Sequence, residues 1–126
     1  MIGRRMMIAA AALATAGAGY AAGRAQAPAA KGYVVAEINV TDPALYETYK
    51  PKAAAAVARF GGRYLVRGGK AAAIEGTSPA GRVVILEFDS IAAAMAFERS
   101  PEYRAAAAVR HKAATSRVFA VEGTPQ

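Results

Sequence analysis

Gly61-Gly62-Arg63-Tyr64-Leu65-Val66-Arg67-Gly68-Gly69 holds three apolar residues between two arginines and two glycine pairs. Glycine pairs punctuate regular structure. The residues between them suit a pleated, half-buried surface, so residues 63–67 read as one short strand, with an irregular continuation past Gly69 to Glu75. An arginine at each end of so short a strand points to a site or an interface. What flanks this strand decides the fold.

Upstream, residues 33–40 are rich in β-branched side chains and read as a first strand. Asp42-Pro43 then offers an N-cap and a proline at the first helical position, where its missing N–H costs nothing. Leu45, Tyr49, Ala53, Val57 and Phe60 recur at spacings of three or four and form an apolar helical stripe that Gly61-Gly62 ends. Pro51 is predicted to kink or break this helix, because it lacks an N–H and its ring crowds the preceding turn. Downstream, residues 76–81 with Pro79 form a turn, and residues 82–88 are the third and most apolar strand. Ser90 can cap a helix through Phe97, Ser100-Pro101 restarts helix to about Ala114, and residues 117–122 form the last strand. The order β-α-β-β-α-β predicts a ferredoxin-like α+β fold, a four-stranded antiparallel sheet with its helices on one face.

Period-two alternation assigns the faces. Val34, Ala36, Ile38 and Val40 share one side of the first strand, and Val84, Leu86 and Phe88 share one side of the third; these fully apolar sets should face the helices. The other side still carries Val35, Val83 and Ile85, too much apolar surface for open water on a small domain. A second copy packed sheet to sheet is the natural cover, so a homodimer is expected.

The set Gly32-Tyr33-Val34-Val35-Ala36-Glu37, the glycine-bracketed strand, Val83-Val84-Ile85-Leu86-Glu87-Phe88 and Ser100-Pro101-Glu102-Tyr103 resembles the family called domain of unknown function 1330. The resemblance spans residues 31–123 and implies a dimeric α+β barrel. Two positions depart from the family pattern: Glu98 stands where a tyrosine is common, and Asp89 where a proline is usual. A role held by that tyrosine elsewhere does not transfer here.

Arg4-Arg5 followed by an apolar, alanine-rich run to about Ala22, with no acidic residue before Glu37, has the layout of an export signal. The apolar run of about 15 residues is shorter than the ~20 needed to span a bilayer, so cleavage is expected rather than a stable membrane anchor. Ala27-Pro28-Ala29 is the preferred small-residue site over Ala25-Gln26-Ala27, because cleavage after Ala27 would leave Pro28 behind the scissile bond. Residues 1–29 are therefore assigned to the signal and residues 30–126 to a single domain. Gly3-Arg4-Arg5-Met6-Met7-Ile8 fits a twin-arginine route, and the general secretion route fits as well. The expected location is the periplasm or the medium.

Removing residues 1–29 takes away Arg4, Arg5 and Arg24, so the net charge falls from +7 to +4. The remaining charges mix both signs without a block of either, which argues against a nucleic-acid partner. With no cysteine there is neither a disulfide nor a thiolate metal site.

Glu37 and Glu87 share the sheet face away from the helices, on strands that neighbour one another in ferredoxin-like order. Partly desolvated carboxylates need a counter-ion or take up a proton, and either can serve acid–base chemistry or ligand binding. Arg67 is the candidate counter-ion if alternation places it on that face. The alternative is a structural ion-pair network at the dimer interface. Tyr33, Tyr46, Tyr49, Tyr64 and Tyr103 each offer a ring and a hydroxyl to a small-molecule cavity; Tyr33, Tyr64 and Tyr103, with Arg67, are the candidate ligand contacts, and Tyr49 falls in the core by helical phase. His111, between Arg110 and Lys112, reads as a solvated surface residue rather than a metal or haem ligand. No nucleophile elbow, phosphate loop, zinc spacing or dinucleotide fingerprint is present, and no cofactor or metal is expected. Two functional classes stand: a small-molecule-binding protein, with cofactor-independent enzymes among its fold relatives, and a non-enzymatic homodimeric interaction module whose charges are structural.

Overall fold

Asp42 accepts a hydrogen bond from the Leu45 amide at 3.1 Å and starts the first helix, with Pro43 in its first turn. Ser90 does the same for Ala93 at 3.0 Å. Ser100 works in both directions: its hydroxyl donates to the Phe97 carbonyl at 2.7 Å and accepts from the Tyr103 amide at 3.1 Å, joining two helices at a sharp corner. These caps set the element order of the computed structural model, which describes residues 30–126: β1 (Gly32–Val40), α1 (Pro43–Arg59), β2 (Arg63–Arg67), β3 (Arg82–Phe88), α2 (Ile91–Arg99), α3 (Pro101–Ala113) and β4 (Ala114–Glu122). The export signal expected at residues 1–29 lies outside the described residues.

The strands form one antiparallel sheet in the order β2-β3-β1-β4, the ferredoxin-like arrangement. The helices cover the face expected from alternation: Val34, Ala36, Ile38, Leu86 and Phe88 are buried beneath Tyr49, Ala53, Val57, Phe97 and Tyr103. Phe97 packs its ring 5.0 Å from Phe88 and 4.4 Å from Tyr103, centroid to centroid.

Four local expectations are corrected. The helix α1 runs through Pro51 unbroken; Pro51 and Glu47, whose carbonyl loses its helical partner, are both exposed, so water can satisfy that oxygen. The buried stripe of α1 is turned to include Tyr46, leaving Leu45 and Phe60 only partly buried. Strand β2 stops at Arg67 instead of continuing to Glu75. Strand β4 begins at Ala114, directly after α3.

One irregularity decides which side of the sheet Arg67 occupies. Arg63 lies opposite Glu87 and Tyr64 opposite Leu86, but Val66 then lies opposite Ile85 and Arg67 opposite Val84. Leu65 is the extra residue of a β-bulge, and a bulge reverses the side to which every later residue of its strand points. Arg67 is thereby moved to the helix side of the sheet.

Candidate functional site

Between the helices and the sheet lies a cavity of about 40 Å³. Its floor is apolar: Val34, Ala36 and Ile38 of β1, Val84 and Leu86 of β3, and Val118 of β4. Its walls carry the polar groups, beside Ala53 and Val57 of α1. Helix α1 supplies Tyr46, Tyr49 and Lys50, β2 supplies Tyr64 and Arg67, β3 supplies Arg82, and Glu98 of α2 and Tyr103 of α3 complete it. Arg82 has the same parity as Val84, Leu86 and Phe88, which is why a guanidinium stands among residues facing the helices.

The cations are held against rings. The Arg82 guanidinium lies 5.5 Å from the centre of the Tyr46 ring, which also has the Lys50 ammonium at 5.8 Å, and the Arg67 guanidinium lies 4.2 Å from the Tyr64 ring. Gly68 makes room for this arrangement. Its φ is +72°, and a Cβ there would stand 2.6 Å from the Arg82 guanidinium, so both backbone and space call for glycine. Behind the tyrosines, Arg110 is only 5% exposed, with its guanidinium 6.0 Å from the Tyr49 ring.

The hydroxyls of Tyr49 and Tyr103 share a hydrogen bond of 2.9 Å. Burial, helped by the neighbouring Tyr103, pushes the Tyr49 hydroxyl far above the ordinary phenol range. Burial also raises Tyr46 and Tyr64, against the pull of Arg82 on the first and Arg67 on the second. These groups therefore act as neutral hydrogen-bonding hydroxyls, not as bases. Burial raises the Glu98 carboxyl as well, and the Arg110 charge only partly offsets it.

Among the described residues, the buried side-chain polar atoms without a hydrogen-bond partner are Arg82 Nε, Glu98 Oε1 and Arg110 Nε. Proteins pair the great majority of such atoms. Here two belong to the walls of one cavity and the third lies behind it.

The opposite sheet face is satisfied within itself. The Arg117 Nε donates to Glu37 at 2.8 Å; Glu87 accepts from Arg63 and, at 3.2 Å, from the Tyr33 hydroxyl. Arg67 pairs with neither carboxylate, because the bulge at Leu65 turns it away. The candidates thus fall into two groups. Tyr64, Tyr103 and Arg67 line the cavity, while Tyr33, Glu37 and Glu87 lie on the other face. Lys50, Arg82, Glu98 and Arg110 join this region without having been expected there from the sequence. For Arg82 the signal was available in the strand parity, and for Glu98 in the departure from the family pattern. His111 is exposed on α3, and among the described residues no three His, Cys, Asp or Glu side chains gather as a metal site.

The sequence matches the family model described as domain of unknown function (DUF1330) over residues 31–124. The chain belongs to this family. No curated protein matches it. Among solved structures it is similar to RPA0582, a protein of unknown function from Rhodopseudomonas palustris, at 22% identity and a TM-score of 0.59, covering 85% of this chain and 92% of that one. It is similar to SnoaB, a cofactor-independent oxygenase from Streptomyces nogalater, at 19% identity and a TM-score of 0.54, covering 78% and 97%. It is also similar to a dimeric ferredoxin-like protein of unknown function from Bacteroides fragilis, at 14% identity and a TM-score of 0.51, covering 73% and 95%. At these identities the likeness establishes the fold.

Proposed function

We propose that this DUF1330 domain binds small organic acids in the cavity between its sheet and its helices, and that its open sheet face joins a second copy. The observation that carries the binding reading is the imbalance of charge around an apolar floor: Arg67 and Arg82, neither paired with a carboxylate among the described residues, and Lys50, whose ammonium is held by Glu47 at 2.8 Å, against the single carboxyl of Glu98. A guanidinium offers a planar fork of donors that matches a carboxylate. Size narrows the class. A water needs about 10–15 Å³ of such space, so a cavity of about 40 Å³ takes the head of a molecule, an acetate or pyruvate unit, with any remainder outside. At a ceiling of about 1.5 kcal/mol per non-hydrogen atom, a four-atom head group binds no tighter than tens of micromolar.

Calorimetric titration with acetate and pyruvate tests this, with acetamide as the uncharged control. Binding of the acids and not the amide is expected. Arg82→Met and Arg67→Met should each weaken it about tenfold or more, since a hydrogen bond to a charged group is worth roughly 1.5–3 kcal/mol. Glu37→Gln and Glu87→Gln should leave it unchanged. Acid binding that survives both arginine changes and is lost with Glu37 or Glu87 would move the site to the other face.

The homodimer reading is supported by the apolar surface around the two ion pairs, where Phe119 and Val121 remain 45% and 46% exposed beside Val35 and Ile85. The fold likeness to an oxygenase adds no chemistry, since one fold hosts many functions. We also propose export, from Arg4-Arg5 and the alanine-rich run that follows. N-terminal sequencing of periplasmic protein should find a start near Ala30, and an intact Met1 in a cytoplasmic pool would contradict it.

A further inference from the structure

Glu98 is the one carboxyl on the cavity wall, and its Oε1 is buried with no partner. The other polar groups that line the cavity are cationic or neutral, and the charge that acts on Glu98 is that of Arg110. From α1 come Lys50 and the hydroxyls of Tyr46 and Tyr49, from β2 Arg67 and Tyr64, from β3 Arg82, and from α3 Tyr103 with Arg110 behind it; β1 and β4 contribute only apolar side chains. A small carboxylate drawn in by the arginines therefore comes to rest in a confined space that already holds one carboxyl. Two carboxylates sharing such a space raise one another's affinity for a proton. The conflict is resolved when Glu98 takes a proton from solvent: repulsion becomes an O–H···O⁻ hydrogen bond, among the strongest a protein makes, and the unpartnered Glu98 carboxyl gains its partner.

Building on the proposed binding of small organic acids, we propose that Glu98 enters the bound state as the neutral acid and donates a hydrogen bond to the ligand, so that each carboxylate is taken up together with one proton. The proton comes from solvent, and no other covalent bond is made or broken. The ligand class narrows accordingly, to carboxylates and keto acids that present an acceptor oxygen towards α2. A proton donor is thereby placed directly on the bound acid. Burial already holds Glu98 above the ordinary carboxyl range in the free protein, which lowers the cost of this protonation.

The test is pyruvate affinity measured by calorimetry from pH 5 to pH 9, for the wild type and for Glu98→Gln, an uncharged isostere that keeps a donor. Uptake of one proton makes wild-type affinity fall about tenfold per pH unit once the pH exceeds the value at which free Glu98 ionises. Glu98→Gln should bind with a flat profile and, at pH 8, at least as tightly as the wild type. A second readout is the observed heat in HEPES and in Tris, which should differ for the wild type at pH 8 and agree for the variant. A flat wild-type profile, an unchanged slope in Glu98→Gln, or loss of binding in that variant at every pH would overturn the proton-coupled role while leaving the acid site standing. Failure of the wild type to bind pyruvate at any pH would overturn both.

Discussion

Burial of Glu98 links the protonation of this protein to its stability and, in the proposed site, to its ligand as well. Its carboxyl is raised by burial, so the folded protein holds that proton more tightly than the unfolded chain does. The stabilisation is therefore complete below the ordinary carboxyl value and is lost as pH rises through the higher folded value. Thermal melts from pH 4 to pH 9 should show wild-type stability declining over that window, relative to Glu98→Gln, which has no proton to lose. Parallel profiles would mean that Glu98 is not held in the environment described. At this scale the sequence was partly legible. Arg82 shares its parity with Leu86 and Phe88, so a charge on the helix side could be read from alternation alone. The inward aim of Glu98 was legible only in outline, from its place four residues after Ala94 on α2 and from its departure from the family pattern.

At the scale of elements, the bulge at Leu65 and the corner at Ser100 build the cavity. Alternation from Arg63 assigns Arg67 to the face of Glu37 and Glu87, and nothing in Tyr64-Leu65-Val66 signals an extra residue. Only the register against β3 reveals it, which is why the strand was legible and its second arginine was not. The corner was legible, since Ser-Pro is a plain helix start. Ser100→Ala removes both hydroxyl bonds, the one accepted from the Tyr103 amide and the one donated to the Phe97 carbonyl. It should cost about 1–2 kcal/mol in chemical denaturation. It should also weaken acid binding, because Tyr103 is anchored by that cap. An unaltered midpoint would show that the corner is held by packing alone.

For the whole molecule, two faces of one sheet divide the work. The helix side holds a cation-rich cavity with unpartnered polar atoms, and the other side pairs its charges internally and leaves Phe119 and Val121 exposed. The first division was legible from alternation in residues 33–40 and 82–88, and the element order followed from caps and glycines. Assembly is tested by Ile85→Lys, which would bring an ammonium into the proposed symmetric interface twice while sparing Leu86 of the core and Val84 packed against it. Each buried, unpaired ion costs several kcal/mol, so the dimer should dissociate or precipitate at micromolar concentration. A wild type that runs as a monomer in light scattering, or a variant that remains a stable dimer, would contradict the sheet-face interface.

The proposed ligand site lies between sheet and helices. The most direct measurement is an amide and side-chain NMR titration of the wild-type protein with pyruvate, which maps shift changes onto residues without any substitution. Perturbations should cluster at Tyr46, Lys50, Tyr64, Arg67, Arg82, Glu98 and Tyr103, with Tyr33, Glu37 and Glu87 unmoved. Shifts confined to Tyr33, Glu37, Arg63 and Glu87 would place the ligand on the opposite face and contradict it.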